Sequence, residues 1–397
     1  MIGLCLAMVA AGFVLCWPGC WLATRMGGRM GLLDAAGGEA HKEFKPPVPN
    51  VGGVAVFWAI ALPMAAVMAA VWFLPPQFWE VPDSGVGGLW SEVRVAIGVH
   101  LEGLRASTAI GGTVLGALAI MHVLGLFDDR RPLGPWSKLA VQVGVATAIA
   151  TSGGSRVLDF DVPNPLPSDE WWKAYLPLFS VLVTVLWIVA ITNAFNFLDN
   201  MDGLSAGIAA VIAGVFLAAT VQNEQWFVAS LCAVLLGALL GFLWFNLPPA
   251  RLYLGDGGSL VVGLLLAVIS VRMTYVNPRH EGFGGSGGWH AVLTPLVIFA
   301  VPLYDLISVS IIRLREGRSP MSGDRNHFSH RLVKLGLSRP AAVFVIVLAT
   351  LATGLGGVMM SKMPAWQAAL IAAQAAAVLA TLAVLERAAL RGGRRRQ

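Results

Sequence analysis

Eleven long apolar runs divide this chain, near 2–24, 51–74, 106–127, 139–152, 175–192, 205–221, 226–246, 259–276, 291–312, 340–360 and 367–386. No other feature constrains the fold as strongly, because about 17–25 apolar residues are what a helix needs to cross a bilayer. In lipid, only helices and closed barrels satisfy every backbone polar group. Segments of period-two alternation are absent, which argues against a barrel. The expected fold is therefore all-α: one polytopic transmembrane bundle over 1–397 with about eleven helices. The fourth run is short and is expected to extend into its flanks. Composition agrees, with 57% hydrophobic and only 12% charged residues, against about 25% charged in soluble domains.

Lys and Arg orient the bundle. One set of alternating connections (25–50, 128–138, 193–204, 247–258, 313–339 and 387–397) carries twenty of them, and the opposite set carries six. The positive-inside rule places the first set in the cytoplasm, the amino terminus outside and the carboxyl terminus inside. The net charge of +5 is thus a topology signal, and nucleic acid is not an expected partner. The four cysteines, Cys5, Cys16, Cys20 and Cys232, lie in apolar runs without CxxC or metal-ligand spacing and read as small core residues. No basic stretch precedes the first apolar run, which reads as a retained helix.

Five polar or Gly/Pro-rich segments fall on the cytoplasmic side: His41–Gly53, Gly125–Lys138, Asn193–Leu204, Tyr253–Ser259 and Asp324–Leu332. Their shared face suggests one composite site at the inner membrane surface. The third, NAFNFLDNMDGL, sets Asn193, Asn196, Asp199, Asn200 and Asp202 between apolar runs and holds no Lys or Arg. Polar groups at such a place are costly unless they serve a site. Carboxylates beside amides suit a hard cation and a polyphosphate. A solvated loop is the bland alternative, and it would ordinarily be basic on this side.

Asp128 and Asp129 end an apolar run. Neighbours on a helix point about 100° apart, so the two need not share a ligand; one can act as a base while the other binds a cation or substrate. A plain helix end paired with Arg130 and Arg131 competes with that reading. In YLGDGGS, the glycines permit close backbone approach to a ligand, and the following helix N-terminus offers free amides to a phosphate. There Asp256 offers a metal carboxylate and Tyr253 an aromatic face for a base. Arg325, His327 and His330 supply cationic donors for a pyrophosphate; zinc is the weaker reading, since no further ligands lie nearby. Asp305 is an acid within an apolar run, with no partner evident in the sequence. The inventory as a whole suggests cation-assisted phosphoryl transfer between a soluble phosphate-rich donor and a membrane-embedded acceptor.

These residues resemble a known family. Pro47–Gly53 (PxPxxGG), the pattern of Asp128, Asp129 and Lys138, NAFNFLDNMDGL, YLGDGGS and PLYD…SPMSGDRNHFSHRL (302–332) are similar, in this order, to motifs of the polyprenyl-phosphate N-acetylhexosamine-1-phosphate transferases. The resemblance implies transfer of a sugar-1-phosphate from a UDP-N-acetylhexosamine to undecaprenyl phosphate, with release of UMP, at the bacterial inner membrane. It implies Mg2+ as cofactor, with Mn2+ as a substitute, held by Asp256 with Asn196. It assigns catalysis to Asp128, Asp129 and Asp256, with Asp128 similar to the base proposed for the lipid phosphate. Substrate binding would fall to Lys138, Asn193, Asp199, Asp202, Tyr253, Arg325, His327 and His330. A homodimer is compatible with it. Two positions depart from the pattern: Ser329 stands where a histidine is common, and Asn200 stands where Gly usually follows the acid. Both bear on the donor sugar. A secondary transporter would place its polar groups near the midplane within internal repeats, and no repeat is evident. The tri-histidine loop of the muramoyl-pentapeptide transferases is absent, and so is the motif of CDP-alcohol transferases.

Overall fold

The computed structural model describes residues 2–27, 33–34, 48–80, 88–152, 156, 170–273, 293–321, 326–360 and 363–394. Arg325, and most of the 25–50 connection, lie outside the described residues. The architecture is almost wholly helical. Its elements are α1 (Ile2–Met26), a two-residue antiparallel pair of β1 (Leu33–Asp34) and β2 (Val48–Pro49), and then α2 (Gly52–Phe73), α3 (Pro76–Trp79) and α4 (Leu89–Val99). These are followed by α5 (Leu101–Arg130), α6 (Pro135–Thr151), α7 (Glu170–Leu198), α8 (Leu204–Gln222) and α9 (Trp226–Asn246). The chain closes with α10 (Asp256–Arg272), α11 (Thr294–Ile298), α12 (Ala300–Arg315), α13 (Phe328–Lys334), α14 (Arg339–Met360) and α15 (Ala365–Arg394).

Every expected apolar run is helical over most of its described residues. Among the described residues, eight helices, α1, α2, α5, α7, α8, α9, α14 and α15, are long and apolar enough to cross a bilayer, so the chain is a multi-pass membrane protein. The other three runs fall short of that length. α6 and α10 are 17 residues each, and the run near 291–312 is broken at Phe299 between α11 and α12.

Hydropathy does not distinguish the helices, but burial does. Every residue of α10 from Gly257 to Ser270 is buried, as expected of a helix that is apolar all round and enclosed by others. It packs chiefly against α5 and α7, and also touches α2, α8 and α9. Leu6, Trp58, Leu62, Leu178, Leu182, Leu186, Trp244 and Phe344, on α1, α2, α7, α9 and α14, are exposed, as lipid-facing positions should be. All four cysteines are buried and free. Glycines let α1 and α9 approach closely: a Cβ at Gly12 would lie 2.5 Å from the Val234 carbonyl oxygen. Small residues at crossings are how helices associate in lipid, where no hydrophobic force draws them together. This packing brings the C-terminal ends of α5 and α7 beside the N-terminal ends of α6 and α10, and there the polar residues collect.

Candidate active site

α5 delivers two acids in opposite directions. Asp128 Oδ1 accepts the Leu133 amide at 2.7 Å, which folds the chain back toward α6, and its Oδ2 accepts Lys138 Nζ at 2.7 Å. Lys138, in the first turn of α6, also donates to Asp256 Oδ2 at 2.8 Å. Asp256 Oδ1 in turn accepts Asn196 Nδ2 at 2.8 Å, and Asn196 reaches Ser259 Oγ at 3.0 Å. A chain of Asp128, Lys138, Asp256 and Asn196 therefore joins four helix ends. It remains partly open, the side chains of Asp128, Lys138 and Asp256 being 14%, 20% and 26% exposed.

Asp129 faces the other way. Its Oδ1 accepts the Asp256 amide at 3.0 Å and Asn50 Nδ2 at 3.1 Å, and its Oδ2 accepts the Gly257 amide at 3.1 Å. The next two amides of α10, from Gly258 and Ser259, bond to the Gly255 carbonyl at 3.0 and 2.9 Å. The expectation that α10 presents free amides to a phosphate is therefore corrected. An N-terminus attracts an anion, and here the chain's own carboxylate is that anion.

Two loops are joined into a platform. The Tyr253 amide donates to the Pro49 carbonyl at 2.9 Å, and the Gly52 and Gly53 amides donate to the Tyr253 and Leu254 carbonyls at 2.9 Å each. The Tyr253 side chain is half-buried. Asp202 accepts the Ala250 amide at 3.1 Å. Buried Asn246 accepts the Gly203 amide and donates to the Leu252 carbonyl, both at 2.9 Å, which holds the acidic loop against the loop before α10. Gly203 takes the left-handed conformation, φ 75°, that glycine adopts without strain. Asn193 pairs with Gln142 through both amide groups, at 2.6 and 3.4 Å. One turn later, only Asn196 reaches the acid cluster.

The electrostatics of this cluster are those of crowded acids. Asp199 is pushed up to about 8 by burial and by the nearby charges of Asp256 and Asp129, against a bond from the Gly255 amide. Burial opposes the charge on Lys138, but Asp256 and Asp128 outweigh it and raise the amine. A crowd of acids with one ammonium among them is a place that a further cation would relieve. Among the described residues, no three His, Cys, Asp or Glu side chains converge as a ready metal cage. Magnesium needs none, since it usually takes one or two carboxylates, keeps several waters and shares substrate phosphates. The Asp256 carboxylate fits that demand, and Asn196, whose Nδ2 donates to it at 2.8 Å, offers its amide oxygen only with the amide turned over.

The histidine segment is built differently. His327 is buried, with Nδ1 2.9 Å from Asp305 Oδ2 and Nε2 3.5 Å from Arg313 Nη2. Asp305 Oδ1 accepts the Phe328 amide at 2.6 Å and so caps α13. The acid without an evident partner in sequence thus finds two. His330 is half-buried on α13. The two positions that depart from the family pattern meet, Ser329 Oγ donating to Asn200 Oδ1 at 2.6 Å. Sequence reasoning passed over Asn50, Gln142, Asn246 and His122. Each is one amide or imidazole whose partner lies far along the chain, and the only local signal is a polar residue in or beside an apolar run.

The glycosyl transferase family 4 profile matches residues 112–274, from within α5 to just past α10. It therefore spans Asp128, Lys138, Asn196 and Asp256. A probable undecaprenyl-phosphate N-acetylglucosaminyl 1-phosphate transferase of Bacillus subtilis is 32% identical over 283 residues, 71% of this chain and 74% of that one. A decaprenyl-phosphate N-acetylglucosaminephosphotransferase of Mycolicibacterium smegmatis is 32% identical over 298 residues, 67% of this chain and 69% of that one. An undecaprenyl-phosphate alpha-N-acetylglucosaminyl 1-phosphate transferase of Escherichia coli K12 is 30% identical over 249 residues, 61% and 64% of the two chains. With these likenesses laid over the joined helix ends, the chain belongs to glycosyl transferase family 4, the polyprenyl-phosphate N-acetylhexosamine-1-phosphate transferases that its motifs resemble.

Proposed function

We propose that this protein transfers N-acetylhexosamine-1-phosphate from a UDP-sugar to a polyprenyl phosphate, undecaprenyl phosphate being the expected acceptor, and so initiates a cell-envelope polysaccharide. The lipid phosphate oxygen attacks the sugar-bearing phosphorus of the donor. The bond from that phosphorus to the bridging oxygen breaks, and the oxygen leaves on UMP. The observation that carries this reading is the bridge of Lys138 between Asp128 at 2.7 Å and Asp256 at 2.8 Å. It sets one cation and two carboxylates at a single partly open point.

Phosphoryl transfer is mainly a matter of positioning and charge neutralisation. Lys138 binds the donor's diphosphate. Asp128 orients the lipid phosphate or takes its proton. Asp256 and Asn196 would hold magnesium, or manganese in its place, which when bound neutralises the diphosphate charge. Asp199 and Asp202 face the sugar or nucleotide from the loop pinned by Asn246, and the Tyr253 ring stacks on the uracil. Phe127 and Trp136, next to the site in sequence, are 63% and 76% exposed. They suit the headgroup level from which a lipid phosphate would enter. The Lys and Arg distribution supports a site on the cytoplasmic face of the inner membrane.

The test is UMP release by detergent-purified protein given undecaprenyl phosphate, Mg2+ and a panel of UDP-N-acetylhexosamines. The expected outcome is UMP that depends on both lipid and metal, with one donor preferred. Folded protein that yields no UMP with any donor, beside an active relative, overturns the reading.

A further inference from the structure

His122 lies in the apolar part of α5, and the chemistry above does not use it. It is buried, and its ring stacks on Phe57 of α2 with centroids 4.3 Å apart and planes 5° from parallel. Its Nδ1 stands 2.7 Å from the Gly257 carbonyl oxygen. A carbonyl only accepts, so Nδ1 carries the proton and donates. An ionisable side chain buried among membrane helices is expensive and by default marks function.

Its partner is the residue after Asp256. One turn further along α5, a Cβ at Gly125 would collide with the Asp256 carbonyl and the Gly257 amide. After one more turn, Asp129 takes the Asp256 and Gly257 amides. His122, Gly125 and Asp129 share one face of α5, spaced i, i+3 and i+7. From that face Asp129 holds Gly257 by its N–H and His122 holds it by its C=O, which fixes the peptide units on both sides of that residue. Opposite, a Cβ at Gly53 would strike the Gly257–Gly258 backbone, so α2 closes the other side. The first turn of α10 is therefore held between two helices by paired bonds and close backbone contact. Asp256 projects from that turn.

We propose that His122 is a positioning residue for the transferase: its Nδ1–H fixes the Gly257 carbonyl and so aims the Asp256 carboxylate at Asn196, Lys138 and the cation. The proposal rests on the reaction read above, and the test separates the two. His122→Phe keeps an aromatic ring against Phe57 and removes the donor, whereas His122→Asn can return an N–H to the same carbonyl. Three readouts apply to the full-length protein in detergent: hydrogen exchange over 254–260, Mn2+ binding by electron paramagnetic resonance, and kcat and KM from UMP release.

In His122→Phe, exchange over 254–260 is expected to quicken while other helices stay protected, Mn2+ binding to weaken, and kcat to fall about tenfold with KM for the lipid little changed. His122→Asn is expected to recover most of all three. Unchanged exchange over 254–260 in His122→Phe overturns the proposal. So does equal impairment of both variants with a general loss of protection, since packing alone would explain it. Wild-type protein that binds Mn2+ but releases no UMP sinks the reaction, while exchange and Mn2+ binding still judge the clamp.

Discussion

Two clusters in this protein use the same alphabet, an acid beside a base among apolar helices, and they do opposite things. Asp128, Lys138 and Asp256 keep 14–26% of their side chains exposed. The side chains of Asp305 and His327 keep 1% and 8%, and Arg313 as a whole residue is 1% exposed. In the first cluster, each partner belongs to a different helix end and still faces an opening. In the second, the groups are spent on one another, on the Phe328 amide and on the Pro320 carbonyl, which Arg313 Nη1 reaches at 2.5 Å. Arg313 also lies over the Phe197 ring at 4.9 Å. The difference is access: buried groups whose bonds are spent within the cluster hold a loop in place, and a pair with room for a third party is a site.

The comparison can be broken from either side. Asp256→Asn should have the largest effect, a loss of turnover of about a thousandfold or more, roughly 4 kcal/mol of transition-state stabilisation. UMP release measures it, and size-exclusion behaviour in detergent should stay normal; near-normal turnover would remove Asp256 from the metal and catalytic roles. Next comes Asp305→Ala, which strands Arg313 and His327 in the interior and should cost about 3–5 kcal/mol of stability. Thermal unfolding in detergent checks it, and a variant as stable as the parent but dead in catalysis would move the second cluster into the active site.

Lys138→Ala should insert and fold normally yet weaken donor binding by about ten- to a hundredfold, read as a rise in KM larger than the fall in kcat. If the protein instead fails to accumulate in membranes, Lys138 is a strut like Arg313. The smallest effect is expected from Ser329→Ala, which removes the bond to Asn200 and should cost about 1 kcal/mol. A double-mutant cycle with Asn200→Ala tests that coupling, with the donor-sugar preference measured on the same proteins. A preference that shifts would extend the open site to the histidine segment.

Much of the site is legible in the order of residues, because the chemistry depends on residue types that apolar helices otherwise avoid. Asp128, Lys138, Asn196 and Asp256 stand out for that reason, and the structure brings them together. Asn193 stands out equally but pairs with Gln142, and Asp129 turns to cap α10. Hydropathy marks a polar group as costly; it does not say which partner offsets the cost. For Asp129 that partner is 127 residues away at Asp256, and for His122 it is 135 residues away at Gly257. Nothing local encodes such distances.

By itself the sequence determined the helical class, the membrane and the kind of chemistry. Each follows from a local cost: backbone polar groups must be satisfied in lipid, and carboxylates there require a purpose. The tertiary structure alone decided that α10 is the enclosed centre, that its first turn is gripped from both sides, and which acids remain open. Those outcomes depend on how closely glycine-bearing helices approach. That is a matter of backbone contact between distant segments, to which every apolar run contributes the same hydropathy.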